Sequence, residues 1–262
     1  MFRFRYGAMP VDSHTHLEMP EFDKDRDEVV ERARSAGIEF MVTVGTNLAY
    51  CKEVIALADR YAEVYAAVGI HPHDVKEIGK STYEEIRVLA RTKKVVAYGE
   101  IGLDFFRNRS PRDVQIRRFG EQLELAADIG LPVIIHDRDA HREILEILGP
   151  WRGKLRGIFH CFSGDRAMAK KCLDMGFYIS VPGTVTFEKA DTLRDVVRYV
   201  PLEYLLVETD APYLTPQPHR GKRNEPAYVV HTVEKVAEVK ELSTEDVGAA
   251  TTANAKAVFA IG

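Results

Sequence analysis

Eight short apolar runs, each followed by a helix-sized segment, limit what this chain can fold into. The runs begin at Val11, Phe40, Val64, Val95, Pro132, Arg156, Phe177 and Leu205, so successive starts lie 21 to 37 residues apart. Each run is short and rich in Val, Ile, Ala or Phe, which suits a buried strand better than a helix. The spacers read as helices over 27–36, 48–61, 82–91, 112–129, 140–148, 165–175 and 190–199, with two more over 226–240 and 244–259. Gly37, Gly130 and Gly176 stand where helices should stop. Ser81 with Glu84 predicts a capping box for the third helix, and Ser243 or Thr244 an N-cap for the last. Strands alternating with helices predict a parallel sheet. Eight such units match an α/β TIM (β/α)8 barrel, with an open doubly wound sheet as the alternative.

Polar residues decide between the two. Asp12, Ser13, His14, Thr15 and His16 follow the first run, Glu100 the fourth, His136 the fifth, His160 the sixth and Asp210 the eighth. In an open sheet these positions would spread along a wide edge. In a closed barrel every strand's C-terminal end reaches one mouth, so they converge.

Convergence of these residue types predicts metal binding. His14 and His16 are two apart on a strand, so their side chains share a face and make half of a transition-metal site. A carboxylate such as Glu100 has two oxygens and can bridge two cations. The expected division places His14, His16, Glu100 and Asp210 on one ion and Glu100, His136 and His160 on the other. Asp12 shares the parity of His14 and is expected to orient a histidine from behind, and Glu208 to support in a similar way. Two ions about 3.5–4 Å apart suit hydrolysis, with Asp210 as general base. Histidine-rich ligation favours Zn, Mn or Ni over Mg, although Mg is abundant in cells.

The rim narrows the substrate. His71, His73, Arg107 and Arg109 fall near the mouth, as does the loop 218–224 with Arg220, Lys222 and Arg223. Cationic loops beside two cations predict an anionic substrate, phosphate first. Tyr213 and Phe105 are candidates for stacking on a base. There is no Walker A or dinucleotide glycine pattern, and HCFSG at 160–164 lacks the lysine of a P-loop. The glycines of GEIG at 99–102 are expected to leave room for a crowded bridging ligand. Cys161 beside His160 resembles a thiol nucleophile only on paper, since His160 is committed elsewhere.

Composition bounds the rest. The 262 residues are 45% apolar, with no Ser/Gly/Pro-rich linker, so one domain over 1–262 is expected, with 1–10 as an N-terminal extension. That extension carries two arginines and no long apolar core, which excludes it as a signal peptide or membrane span. Cys51, Cys161 and Cys172 form no CxxC and point to a reducing compartment. The net charge of -4 lacks the basic excess of a nonspecific nucleic-acid binder. If the substrate is DNA, the protein should grip only a few nucleotides near an end.

Seven motifs now carry a resemblance: DSHTH at 12–16, GIHPH at 69–73, GEIGLD at 99–104, IHDR at 135–138, HCFSG at 160–164, ETDAPYL at 208–214 and RGKRNEP at 220–226. As a set they resemble the TatD-type metal-dependent deoxyribonucleases of the amidohydrolase superfamily. The resemblance implies a metallo-dependent TIM barrel with two divalent ions (Zn, Mn, Mg or Ni) on the ligands above. It implies a cytoplasmic phosphodiesterase, often a 3′-to-5′ exonuclease on DNA and sometimes RNA, with a role in DNA repair or turnover. It also implies that His71, His73, Arg138 and the stretch Arg223-Asn224-Glu225 line or support the mouth. The expected partner is DNA with short or single-stranded ends, possible RNA aside, with no membrane and no obligate protein partner; a monomer is expected. The rival is an amidohydrolase acting on an ester, lactone or amide outside nucleic acids.

Overall fold

The eight runs become β1 (Asp12–Thr15), β2 (Met41–Gly45), β3 (Val64–Val68), β4 (Val95–Asp104), β5 (Val133–Arg138), β6 (Gly157–Phe159), β7 (Tyr178–Val181) and β8 (Leu205–Val207). Between and after them lie α1 (Arg26–Ser35), α2 (Leu48–Arg60), α3 (Thr82–Leu89), α4 (Arg112–Ile129), α5 (His141–Leu148), α6 (Arg166–Asp174), α7 (Asp191–Tyr199), α8 (Val229–Lys240) and α9 (Thr244–Phe259). This is a computed structural model and describes residues 9–262. Most of the segment read as an extension, residues 1–8, lies outside the described residues.

The strands stand in sequence order, and every neighbouring pair is parallel. Closure between β8 and β1 comes from bonds just beyond the end of β8. The Asp210 N–H donates to the His14 carbonyl at 3.0 Å and the His16 N–H to the Ala211 carbonyl at 2.8 Å. The Ser13 hydroxyl adds a bond to the Val207 carbonyl at 2.9 Å. The sheet is therefore a near-barrel flanked by helices, as a (β/α)8 metallo-hydrolase requires.

Strand parity sorts the core into two layers. Met41, Val133, Ile135, Phe159, Leu205 and Val207 pack outward against the helices. Val42, Val44, Ile134, Ile158 and Leu206 form an inner cluster with Ala255, Val258 and Phe259 of α9 and the following Ile261. Two residues beyond Ile134, Ile158 and Leu206, the same direction is taken by His136, His160 and Glu208. The inner layer is thus apolar where α9 packs and polar at the C-terminal strand ends. Burying polar groups there requires partners for them.

Local expectations fare unevenly. Ser243 caps α9 through the Asp246 N–H, and Gly130 ends α4 at φ 81°. Ser81 does not cap α3; its hydroxyl donates to the Glu85 carboxylate at 3.1 Å, while the Thr82 hydroxyl receives the Gly79 N–H. Residues 226–228 form a 3-10 turn that precedes α8. The largest difference is β4, expected to stop at Gly99 but continuing to Asp104. Its register shifts against both β3 and β5. The glycines of GEIG serve that strand. A Cβ at Gly99 would sit 2.6 Å from the Ile134 side chain, and one at Gly102, which has φ 146°, 1.9 Å from the His136 carbonyl. They admit a neighbouring strand, where the sequence suggested room for a ligand.

Candidate metal centre

The structure brings His14, His16, Glu100, His136, His160 and Asp210 together in the mouth. Their inner atoms gather in two groups around the two oxygens of Glu100, and the groups overlap: the sets close enough to hold an ion include His14, His160 and Asp210 as well as His14, His16 and Glu100, and His71 joins Glu100 and His136. In the first, His14 Nε2 lies 3.2 Å from His16 Nε2 and 3.4 Å from Glu100 Oε2. Asp210 Oδ1 is 3.8 Å from His14 Nε2 and 3.5 Å from His16 Nε2, and His16 Nε2 is 3.8 Å from Glu100 Oε2. A tetrahedral ion with bonds of about 2.0–2.1 Å needs ligand edges of about 3.3–3.4 Å. The 3.2, 3.4 and 3.5 Å separations fit it, and the two at 3.8 Å are longer. In the second group, Glu100 Oε1 lies 2.5 Å from His136 Nδ1 and 2.7 Å from His160 Nε2, with 3.3 Å between the two nitrogens. The His160 ring also stacks on that of His14 at 3.9 Å, so it stands between the groups.

Outer contacts set the tautomers of His16, His136 and His71, whereas the outer nitrogens of His14 and His160 are buried without a hydrogen-bond partner. His16 Nδ1 faces the Val44 carbonyl at 2.9 Å and Glu18 Oε1 at 3.1 Å, so it carries the proton and leaves the Nε2 lone pair inward. His136 Nε2 faces Asp104 Oδ2 at 3.2 Å, leaving Nδ1 inward. His160 Nδ1 has Glu208 Oε1 at 3.5 Å. His71 differs. Its Nε2 is 3.5 Å from Glu100 Oε1, but its Nδ1 accepts the His73 N–H at 3.1 Å. Neutral His71 therefore bears its proton on Nε2 and presents a donor, not a lone pair, to the site.

Two supporting carboxylates, Glu18 and Asp104, lie outside the residues expected from the sequence. Glu18 continues the even series 12, 14, 16 and holds His16; the Thr43 hydroxyl fixes its other oxygen at 2.8 Å. Asp104 continues the series 100, 102 and receives His136, His73 (2.9 Å) and the Arg107 N–H (2.6 Å). Period-two parity is the signal that points to both, but a strand that stops at Gly99 leaves Asp104 out, whereas β4 runs on to it. Glu208 accepts the Cys161 N–H at 2.6 Å and the Ser180 hydroxyl at 2.5 Å, so it braces the backbone beside His160 and makes no hydrogen bond to the ring. Asp12 does not orient an imidazole ring. Its carboxylate accepts the N–H and hydroxyl of Thr209 at 2.9 and 2.5 Å, and lies 3.3 Å from the His14 N–H. It ties β1 to the residue before Asp210.

Charge in the ring follows from this packing. Burial works against ionising Glu100, yet His160, His71 and His136 outweigh it and hold the carboxyl well below its usual range. Burial likewise opposes charge on His16, but Asp210 and Glu18 raise it well above an ordinary histidine. His160 is raised well above by Glu100 against the same penalty. Burial lowers His14 and His71 and pushes Asp12 up to about 8. Protonated imidazoles thus balance the carboxylates where cations would.

The rim residues separate. Arg107, Arg109 and Arg138 are exposed beside the mouth, and Tyr213 is 47% exposed with its ring 6.5 Å from that of His16. His73 is drawn inward to Asp104. Arg223 is taken up by the two oxygens of Asp25, each at 2.7 Å, and Glu225 by Arg32. Asn224 bonds the Thr209 and Tyr213 carbonyls. That stretch anchors its own loop. Phe105, expected to stack on a base, is only 8% exposed; the exposed aromatic is its neighbour Phe106.

A parallel eight-stranded near-barrel whose mouth buries clustered His, Asp and Glu residues suited to one or more divalent ions defines a metal-dependent hydrolase. Comparison with known proteins gives the family. The model of the TatD related DNase family matches residues 11–260, and the chain belongs to that family. It is 43% identical over 257 residues to the 3′-5′ ssDNA/RNA exonuclease TatD of Citrobacter koseri, covering 95% of this chain and 98% of that protein. It is 41% identical over 254 residues to the uncharacterized metal-dependent hydrolase YabD of Bacillus subtilis, covering 97% and 100%. Among solved structures, the TatD homolog YjjV of Escherichia coli superposes with a TM-score of 0.92 at 31% identity, covering 97% of this chain and 99% of that one. No helix among the described residues is long and apolar enough to cross a membrane.

Proposed function

We propose that this protein is a two-metal 3′-to-5′ exonuclease acting on single-stranded DNA and RNA ends. The observation that carries the reading is the pair of ligand groups sharing Glu100, with the outer nitrogens of His16 and His136 tied to acceptors. The relatives named as single-stranded DNA and RNA exonucleases support the substrate class. His14, His16, Glu100 and Asp210 would hold one ion, and Glu100, His136 and His160 the other. Zn, Mn or Ni fits this donor set, with Mg as a working alternative. Bound divalent ions supply an acidified water and neutralise charge on the phosphoryl group.

The chain's own groups supply the rest. Glu100 is nearly sealed from solvent, whereas the Asp210 side chain is 14% exposed and stays ionised, held low by His16 against burial. Asp210 is therefore the carboxylate that meets the attacking water, and its oxygen accepts the proton. The His71 Nε2–H donates to a phosphoryl oxygen, and Arg107, Arg109 and Arg138 hold neighbouring phosphates. Tyr213 packs against the terminal nucleoside. His73 and Arg223 act on substrate through the loops they brace. The three free cysteines support a reducing compartment such as the cytoplasm.

Single-stranded oligonucleotides labelled at either end test the reading in Mg²⁺ and in Mn²⁺. Expected are a ladder shortening from the 3′ end, loss of cleavage in EDTA, loss in Glu100→Ala, and two ions per chain by elemental analysis. Hydrolysis of esters or lactones with no nucleotide release in either metal would move the protein to the rival amidohydrolase class.

A further inference from the structure

Among the described residues, six large apolar side chains stand exposed, and two of these are aromatic, Phe106 and Tyr213. Both follow mouth strands, Phe106 after β4 and Tyr213 after β8, which are diametrically opposite in an eight-stranded barrel. A lone exposed apolar residue needs no explanation. Phe106 has further features that ask for one.

Its ring is 56% exposed yet braced. The Arg138 guanidinium carbon lies 4.1 Å from the ring centroid and that of Arg107 5.6 Å. A cation that close fixes the ring on one side and leaves the remainder open. Phe106 lies two residues past Asp104, and Arg138 two past His136, and Asp104 and His136 bond each other at 3.2 Å. The Phe105 N–H to Arg138 carbonyl bond, 2.9 Å, keeps the two loops together. The ring thus stands in the turn that directly follows the strand carrying Glu100 and Asp104, beside the loop that follows His136. From Phe105 to Arg112 the chain carries three arginines and no acid, in a protein of net charge -4. None of Arg107, Arg109, Arg112 and Arg138 has an acidic partner among the described residues.

We infer that Phe106, backed by Arg138, is a stacking platform for an unpaired nucleobase one step from the cleaved phosphodiester. An aromatic face flanked by unpaired guanidiniums matches a nucleotide in both its parts: the base lies on the ring and its phosphates meet the arginines. A base engaged in a duplex has its faces covered by its neighbours, so the platform favours a frayed or single-stranded end. This rests on the exonuclease reading for the position of the phosphodiester, but the contact itself is a binding contact and is measured as one.

The test uses the metal-loaded full chain in Mg²⁺ and a fluorescent single-stranded oligonucleotide whose terminal linkages are phosphorothioates, so that binding is read by anisotropy without cleavage. An abasic residue is placed in turn at each of the three 3′-terminal positions. In the wild type one of these should weaken binding about tenfold, the scale of one lost base stack. Phe106→Ala should weaken the intact oligonucleotide by a similar factor and show no further loss at that position; Phe106→Trp should restore both. The side chain is exposed, so all variants should melt with the wild type. Intact-strand affinity that ignores Phe106→Ala, or an abasic penalty that survives it at every position, overturns the platform. Cleavage of unmodified strands is scored in parallel. Cleavage with no Phe106 effect on binding removes the platform and leaves the exonuclease; Phe106-dependent binding with no cleavage does the reverse.

Discussion

Asp104→Asn isolates one half of the centre. Asp104 Oδ2 receives the His73 and His136 rings at 2.9 and 3.2 Å, and Oδ1 receives the Arg107 N–H at 2.6 Å. An asparagine keeps one acceptor oxygen and turns an NH2 toward the other set of donors. If the oxygen stays with the imidazoles, the amide opposes the Arg107 N–H. If it turns, His136 loses the acceptor that holds its proton on Nε2, and the tautomer with Nδ1 protonated has no lone pair on its inward nitrogen for a cation. In both cases the negative charge behind His136 is gone. Losses of this kind cost 10- to 100-fold in metal affinity, about 1.4–2.8 kcal/mol. His14, His16 and Asp210 do not touch Asp104, so only one of two binding steps should weaken. Competition against a chromophoric chelator resolves the steps, and melting of the metal-free variant reports folding. Equal weakening of both steps, or of neither, would refute the assignment of His136 to a separate second ion.

Three further outcomes follow from the same contacts. Metal-free protein should lose stability as pH rises from about 6.5: raised His16 and His160 lose stabilising protons through their folded values, and Asp12 is forced toward ionisation near 8. His14 and His71, being lowered, are neutral in both states above 6.5 and contribute no slope there. Each retained proton is worth about 1.4 kcal/mol per pH unit, so the rise in melting temperature on adding Mn²⁺ should grow between pH 6.5 and 8, and a shrinking rise would contradict it. Gly102→Ala puts a Cβ 1.9 Å from the His136 carbonyl at φ 146°, and should cost at least about 3 kcal/mol by urea unfolding or abolish soluble expression. Lys94 Nζ donates among the carbonyls of Ala58, Tyr61, Ala62 and Val64, joining the end of α2 to β3, so Lys94→Met should lower stability by about 2 kcal/mol in the same assay.

The barrel was legible because its signal is repetitive: eight apolar runs, eight strands, with Ile134, Ile158 and Leu206 setting the direction of the polar residue two places on. What escaped depended on local geometry. A register shift carries β4 past two glycines, hiding Asp104 from any reading that ends strands at glycine. Which of Phe105 and Phe106 faces solvent depends on how the chain turns after that strand, which composition does not encode. The guanidinium of Arg223 reads as a phosphate ligand until Asp25, nearly two hundred residues away in sequence, is found against it.

The seam between β8 and β1 has a consequence of its own. The backbone of Asp210 and Ala211 closes it on His14 and His16, and the side chains of Asp210, His14 and His16 converge just above. Any cation seated there is a clasp, with two grips on the first strand and one on the segment after the last. Occupancy and closure then become one equilibrium, so the Asp210 and His16 amides should exchange with solvent together, and more slowly as the clasp fills.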